Sequence, residues 1–122
     1  MNFIQLGELV LEWADEKDLL HEENADKQFM KFIEEVFEFK TELDIYRIFG
    51  YVDLNFENMK TEMGDIFVTL IILCKQLGIS PSECLDLAYN KISKRKGKTI
   101  NGIFVKEEDL RGDEQWHLTT TK

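Results

Sequence analysis

The stretch Glu62-Met63-Gly64-Asp65-Ile66-Phe67-Val68-Thr69-Leu70-Ile71-Ile72-Leu73-Cys74 decides the fold. It is apolar nearly all the way round a helical wheel, which predicts a buried rod rather than an amphipathic surface helix. At about 100° per residue, Asp65 falls about 60° from Glu62, with Asn58 and Thr69 close by, so the polar atoms form one narrow stripe. Free carboxylates are costly to bury unless something positive pairs with them. A second acidic pair, Glu35 and Glu38, stands three residues apart on one face of another helical segment. A divalent cation held between the two stripes is the most economical explanation.

Outward from this rod, the chain reads as a series of helices. With 122 residues it makes one domain with a real core; 43% hydrophobic residues and nine Phe argue against disorder, and a single Pro favours helix. A first helix is expected from about Phe3 to Leu20, with Ile4, Leu6, Leu9, Val10 and Trp13 on its apolar face. His21 to Asn24 reads as a connection with Asn24 as N-cap of a second helix, Ala25 to the mid-forties. That helix's inward stripe is Phe29, Met30, Phe32, Ile33, Val36 and Phe37. A break at Arg47 to Asn55 precedes the third helix, about Phe56 to Leu77, with Gly78 at its C′ position. Gly64 suggests close helix packing.

Ser80-Pro81-Ser82-Glu83 is a capping-box signature opening a fourth helix, Pro81 to about Lys96. Asn101-Gly102 between Ile100 and Ile103-Phe104-Val105 predicts a turn or short hairpin. The expected domain therefore spans residues 1–112, all-α and of four-helix-bundle type with a short irregular or hairpin extension, and residues 113–122 form a tail.

A net charge of −9 speaks against nucleic-acid or anionic-membrane partners. The longest apolar run, Ile66 to Cys74, is far short of a membrane span. With no secretory leader, Cys74 and Cys84 point to a reducing, cytoplasmic setting without a disulfide framework. Oxygen-only ligands favour Mg²⁺, or Mn²⁺ as a substitute, over Zn²⁺, which prefers His and Cys. A di-iron carboxylate site would want Glu-x-x-His pairs, and His21 and His117 do not supply them. Nor do those two His leave much for nucleophilic catalysis.

Lys91, Lys94, Arg95, Lys96 and Lys98 hold a third of the chain's fifteen cationic side chains. Complementing a helix dipole accounts for one or two of them. A polyphosphate accounts for the set, with Lys as a point charge and Arg bonding bidentately. Gly97-Lys98-Thr99 is not a P-loop, because Ile92 occupies the place of the required earlier Gly.

Ile33-Glu34-Glu35-Val36-Phe37-Glu38, then Glu62-Met63-Gly64-Asp65, resembles the Glu-Glu-x-x-Glu … Glu-x-x-Asp signature of the MazG-like all-α nucleoside triphosphate pyrophosphohydrolases. The similarity extends through Trp13, Lys27-Gln28 and Lys91 to Gly97, and covers roughly Leu9 to Asp109; Lys98 to Asp109 resembles a small phage- or prophage-type subgroup. Phe39 stands where many members carry Leu. The resemblance implies hydrolysis of a (deoxy)nucleoside triphosphate between the α and β phosphates, giving monophosphate and pyrophosphate. It implies that Glu35, Glu38, Glu62 and Asp65 coordinate Mg²⁺. Glu34 is then a further ligand or the group orienting the attacking water. Lys91, Lys94 and Arg95 would hold the polyphosphate, and Trp13 and Phe32 are candidates for stacking on the base, although core packing suits both. A homodimer or homotetramer is implied, since the family's sites commonly form between subunits. The rival readings are a phosphoribosyl-ATP pyrophosphohydrolase-like enzyme and a non-catalytic regulatory module that binds a nucleotide or protein.

Overall fold

The computed structural model describes residues 1–50 and 53–110; the expected tail, and the middle of the expected break before the third helix, lie outside them. The structure is all-helical apart from one small hairpin, as the sequence predicts. It divides into two compact units, Met1–Pro81 and Ser82–Lys122.

In the first unit, α1 (Phe3–Glu16) opens with a reciprocal cap: Gln5 N–H donates to Asn2 Oδ1 and Asn2 N–H to Gln5 Oε1, both at 2.9 Å. The helix stops short of the expected Leu20. Asp18 takes φ 59°, and its N–H donates to Asp15 O at 3.0 Å while Leu19 N–H reaches back to Ala14 O at 2.9 Å. This is the Schellman closure, with Asp in the left-handed position that Gly usually fills. A 3-10 turn, Glu22–Asn24, leads into α2 (Ala25–Phe49); Asn24 stands at the N-cap, but its side chain makes no capping bond.

The next helix, α3 (Asp53–Leu77), begins slightly earlier than the sequence suggested. It closes at Gly78 (φ 70°) with the same pair of bonds, Gly78 N–H to Lys75 O and Ile79 N–H to Cys74 O. The packing is dominated by α2 against α3, with α1 laid more lightly on α3. Polar pins join them: Gln28 Nε2 donates to Thr69 O at 3.4 Å, and Gln76 Nε2 to Leu19 O at 2.8 Å. Phe3 meets Phe67 edge to face at 5.4 Å.

The apolar interior is thinner than the sequence implies. Among the described residues the buried apolar ones are Ala14, Ile72 and Cys74, joined by Glu35, Thr69 and Gln76. Phe67 and Leu70 of the supposedly buried rod are exposed. Of the expected inward stripe of α2, Phe32 and Ile33 are half-buried, whereas Phe29, Met30, Val36 and Phe37 are exposed. Ile4, Leu6, Leu9 and Trp13 of α1 are exposed as well. Three helices cannot enclose apolar faces that wide, so part of each stripe stays at the surface. Gly64 does not serve close packing here, because a Cβ added to it meets nothing within 4 Å.

In the second unit, α4 (Pro81–Ile92) carries Glu83 in its first turn and Lys91 in its last, matching the helix dipole at both ends. It ends before Lys94, Arg95 and Lys96, whereas the sequence predicts a helix running on to about Lys96. The chain there tightens, Arg95 N–H donating to Ile92 O at 3.1 Å, and turns into the first strand. β1 (Gly97–Ile100) and β2 (Ile103–Lys106) pair antiparallel, Gly97 opposite Lys106 and Ile100 opposite Ile103. Asn101 (φ 50°) and Gly102 (φ 79°) supply the two positive-φ residues of a type I′ turn. Glu107 N–H closes the open end on Lys96 O at 2.7 Å. Among the described residues no single helix is long and apolar enough to cross a membrane.

Candidate metal centre

Helical spacing gives each of two helices a carboxylate face. Glu34, Glu35 and Glu38 lie within about one turn of α2, and Glu62 and Asp65 stand at i and i+3 on α3. Because α2 and α3 are the principal packing pair, the two faces meet. Glu35, Glu62 and Asp65 each offer a carboxylate oxygen, and these oxygens lie within 4.8 Å of one another. Glu35 is buried, at 6% exposure, while Glu62 and Asp65 are half-buried. Glu35 Oε2 and Glu62 Oε2 are both out of contact with solvent and, among the described residues, have no hydrogen-bond donor. Buried acceptors are normally satisfied, so two orphaned carboxylate oxygens on residues of one acidic group call for a positive partner. An all-oxygen set of this kind fits a hard divalent cation.

Lys31 supplies the local positive charge. Its Nζ lies 3.2 Å from Glu35 Oε1 and 3.5 Å from Glu34 Oε2. The hydrogen bond to Glu35, with the charge of Glu34 behind it, holds the Lys31 ammonium protonated to higher pH than an ordinary lysine. Glu38, the fourth expected ligand, is exposed and stands outside the group of three. It is tied to that group electrostatically. A carboxyl–carboxylate hydrogen bond with Glu35 raises its pKa, with burial and then the charges of Glu35, Glu62 and Glu34 adding to the effect. Glu34 is exposed, pairs with Lys31 and is not one of the three grouped carboxylates.

The remaining expected residues fall in other settings. Trp13 is half exposed and lines an apolar groove of about 390 Å³ with Leu6, Leu9, Val10 and Val68. Phe32 is half-buried, its ring centroid 6.3 Å from that of Phe29, which is packing rather than an open stacking face. In the second unit, Lys94 and Arg95 line a cavity of about 440 Å³ with Lys96, Lys106, Glu107 and Glu108. Lys91 is exposed on the last turn of α4 and is not among the residues lining that cavity.

Two features escaped the sequence. Lys31 is one, and its i, i+4 spacing to Glu35 is the sequence signal that points to it. Lys106 joins the basic cavity because the hairpin folds it back opposite Gly97, and only the turn at Asn101-Gly102 announces that.

The family model of the MazG nucleotide pyrophosphohydrolase domain matches residues 23–100, a span that contains all five of these acidic residues and Lys31. No curated protein and no solved structure matches the chain.

Proposed function

Because this chain belongs to the MazG nucleotide pyrophosphohydrolase domain family, we propose that it hydrolyses a (deoxy)nucleoside triphosphate at the α–β phosphate bond, releasing the monophosphate and pyrophosphate. The observation that carries the reading is the convergence of Glu35, Glu62 and Asp65 with two buried carboxylate oxygens lacking donors. These three residues, with Glu38 at the margin, would hold Mg²⁺ or Mn²⁺. When bound, the ion supplies charge neutralisation on the phosphates and Lewis acidity toward water.

The protein's own groups do the rest. Glu34, exposed beside Lys31, orients the attacking water or adds a ligand. Lys91, Lys94 and Arg95 bind the polyphosphate, with Arg95 able to do so bidentately. Trp13 offers an aromatic face to the base. In-line displacement then needs positioning and electrostatic stabilisation from preorganised side chains.

The working unit is a homodimer or homotetramer. Support comes from Leu6, Leu9 and Trp13 on α1 and Met30 and Phe37 on α2, all left exposed. Apolar faces of this kind mark association surfaces. Two free cysteines, Cys74 and Cys84, suit a reducing cytoplasm.

The test is a panel of nucleoside triphosphates incubated with Mg²⁺, with products resolved by anion exchange. Monophosphate and pyrophosphate in equal amounts are expected. Orthophosphate with diphosphate would refute the bond assignment, and binding without turnover across the panel would favour a regulatory module.

A further inference from the structure

The carboxylate cluster carries its own cation. On α2, Lys31 is placed at i, i+3 and i, i+4 from Glu34 and Glu35, so its ammonium group hangs over both. The pairing is one-sided. The Glu35 side chain is 8% exposed and Lys31 is 51% exposed, so the anion is fixed in the interior while the cation rests at the solvent edge. Lys31 also engages only Glu35 Oε1. The second oxygen, Oε2, is one of the two carboxylate orphans, and Glu35 offers one oxygen to the group formed with Glu62 and Asp65. Elsewhere in Met1–Pro81, Lys40 pairs with Asp44 and Lys60 with Glu57.

We propose that Lys31 is the resident counter-ion of this cluster, steadying Glu35 while no divalent ion is bound and weakening the cluster's hold on such an ion when one arrives. The inference rests on the cation-site reading given above. Two effects of Lys31 oppose each other. It helps to orient Glu35, which would favour metal binding, and it places a like charge next to the incoming ion, which disfavours it. The second dominates. Glu35 is already confined by burial, so little orientation is lost with Lys31. An adjacent unit charge, in contrast, shifts a neighbouring ionic equilibrium by about one to three powers of ten. Through its charge, Lys31 thus sets the concentration of divalent ion at which the site fills.

The experiment is titration of the full chain with Mn²⁺, followed by calorimetry and by the Mn²⁺ spin-resonance signal, with thermal unfolding in EDTA alongside. Lys31→Met is expected to bind Mn²⁺ at least about tenfold more tightly than the wild type, yet to unfold at a lower temperature in EDTA. Lys31→Arg keeps the charge and should restore both values. If Lys31→Met does not fold, Lys31→Gln carries the same expectation. Unchanged or weaker Mn²⁺ binding by the charge-removing variant, with the wild type binding normally, overturns the proposal. Failure of the wild type itself to bind, or equal binding by Glu62→Gln, overturns the cation-site reading, and the proposal falls with it.

Discussion

Replacing Glu62 by Gln should stabilise the metal-free protein while abolishing its response to magnesium. The substitution keeps the shape of the side chain and removes one of three negative charges whose oxygens lie within 4.8 Å of one another. At that separation and an effective dielectric of about 20, each like-charged pair repels by about 3 kcal/mol. Two such pairs involve Glu62, but several factors reduce the sum. Lys31, 3.2 Å from Glu35, offsets part of one pair. Glu62 and Asp65 are only half-buried, so solvent screens the other. A net gain of about 1–2 kcal/mol remains, which for a domain of this size raises Tm by about 5 °C. The assay is thermal unfolding followed by circular dichroism, in EDTA at low ionic strength and again in 1 M NaCl. The gain should shrink in high salt, because it is electrostatic. Added Mg²⁺ should raise the Tm of the wild type by mass action and leave the variant unmoved. A variant that unfolds below the wild type in EDTA, or gains as much from Mg²⁺, would refute the reasoning.

Glu38 predicts a pH dependence of opposite sense to the usual carboxylate. Its folded pKa is raised, chiefly by the Glu35 carboxyl group, so the folded state holds its proton more tightly, and metal-free stability falls as pH climbs from about 4.5 through the folded value; Glu38→Gln should flatten that part of a denaturation-versus-pH curve. His21 sits 2.6 Å from Asp18 and its pKa is likewise raised. The stability it contributes is complete below its ordinary value of 6.5 and is lost as pH rises through the folded pKa. Titration of the His21 ring by NMR should show the upward shift, and Asp18→Asn should remove it. Gly64→Ala should stabilise by about 1 kcal/mol through helix propensity, since its added methyl meets open space; urea denaturation that shows a loss instead would place another surface against that turn.

What the sequence disclosed, and what it withheld, follows from the range of the interactions involved. The C-terminus of α3 and the hairpin turn rest on Gly78, Asn101 and Gly102, whose backbone preferences are local and survive without tertiary context. The end of α1 uses the same closure with Asp18, a residue that carries no comparable signal, so its expected boundary ran several residues too far. The acidic cluster was legible because i, i+3 spacing is a property of the helix alone. Which member would be buried was not, because Glu35 owes its burial to α2 packing on α3, whereas Glu38, one turn along, faces outward. The inward stripe of α2 was overstated because periodicity marks a face as apolar without naming what covers it.

That incomplete cover has a consequence for how such a protein would behave in a cell. On the oligomer proposed above, folding and assembly become one equilibrium, and the fraction of competent molecules depends on how many copies exist. Hydrolytic capacity would then climb more steeply than expression, remaining near zero while the polypeptide is scarce. Dilution alone, with no inhibitor, would switch it off.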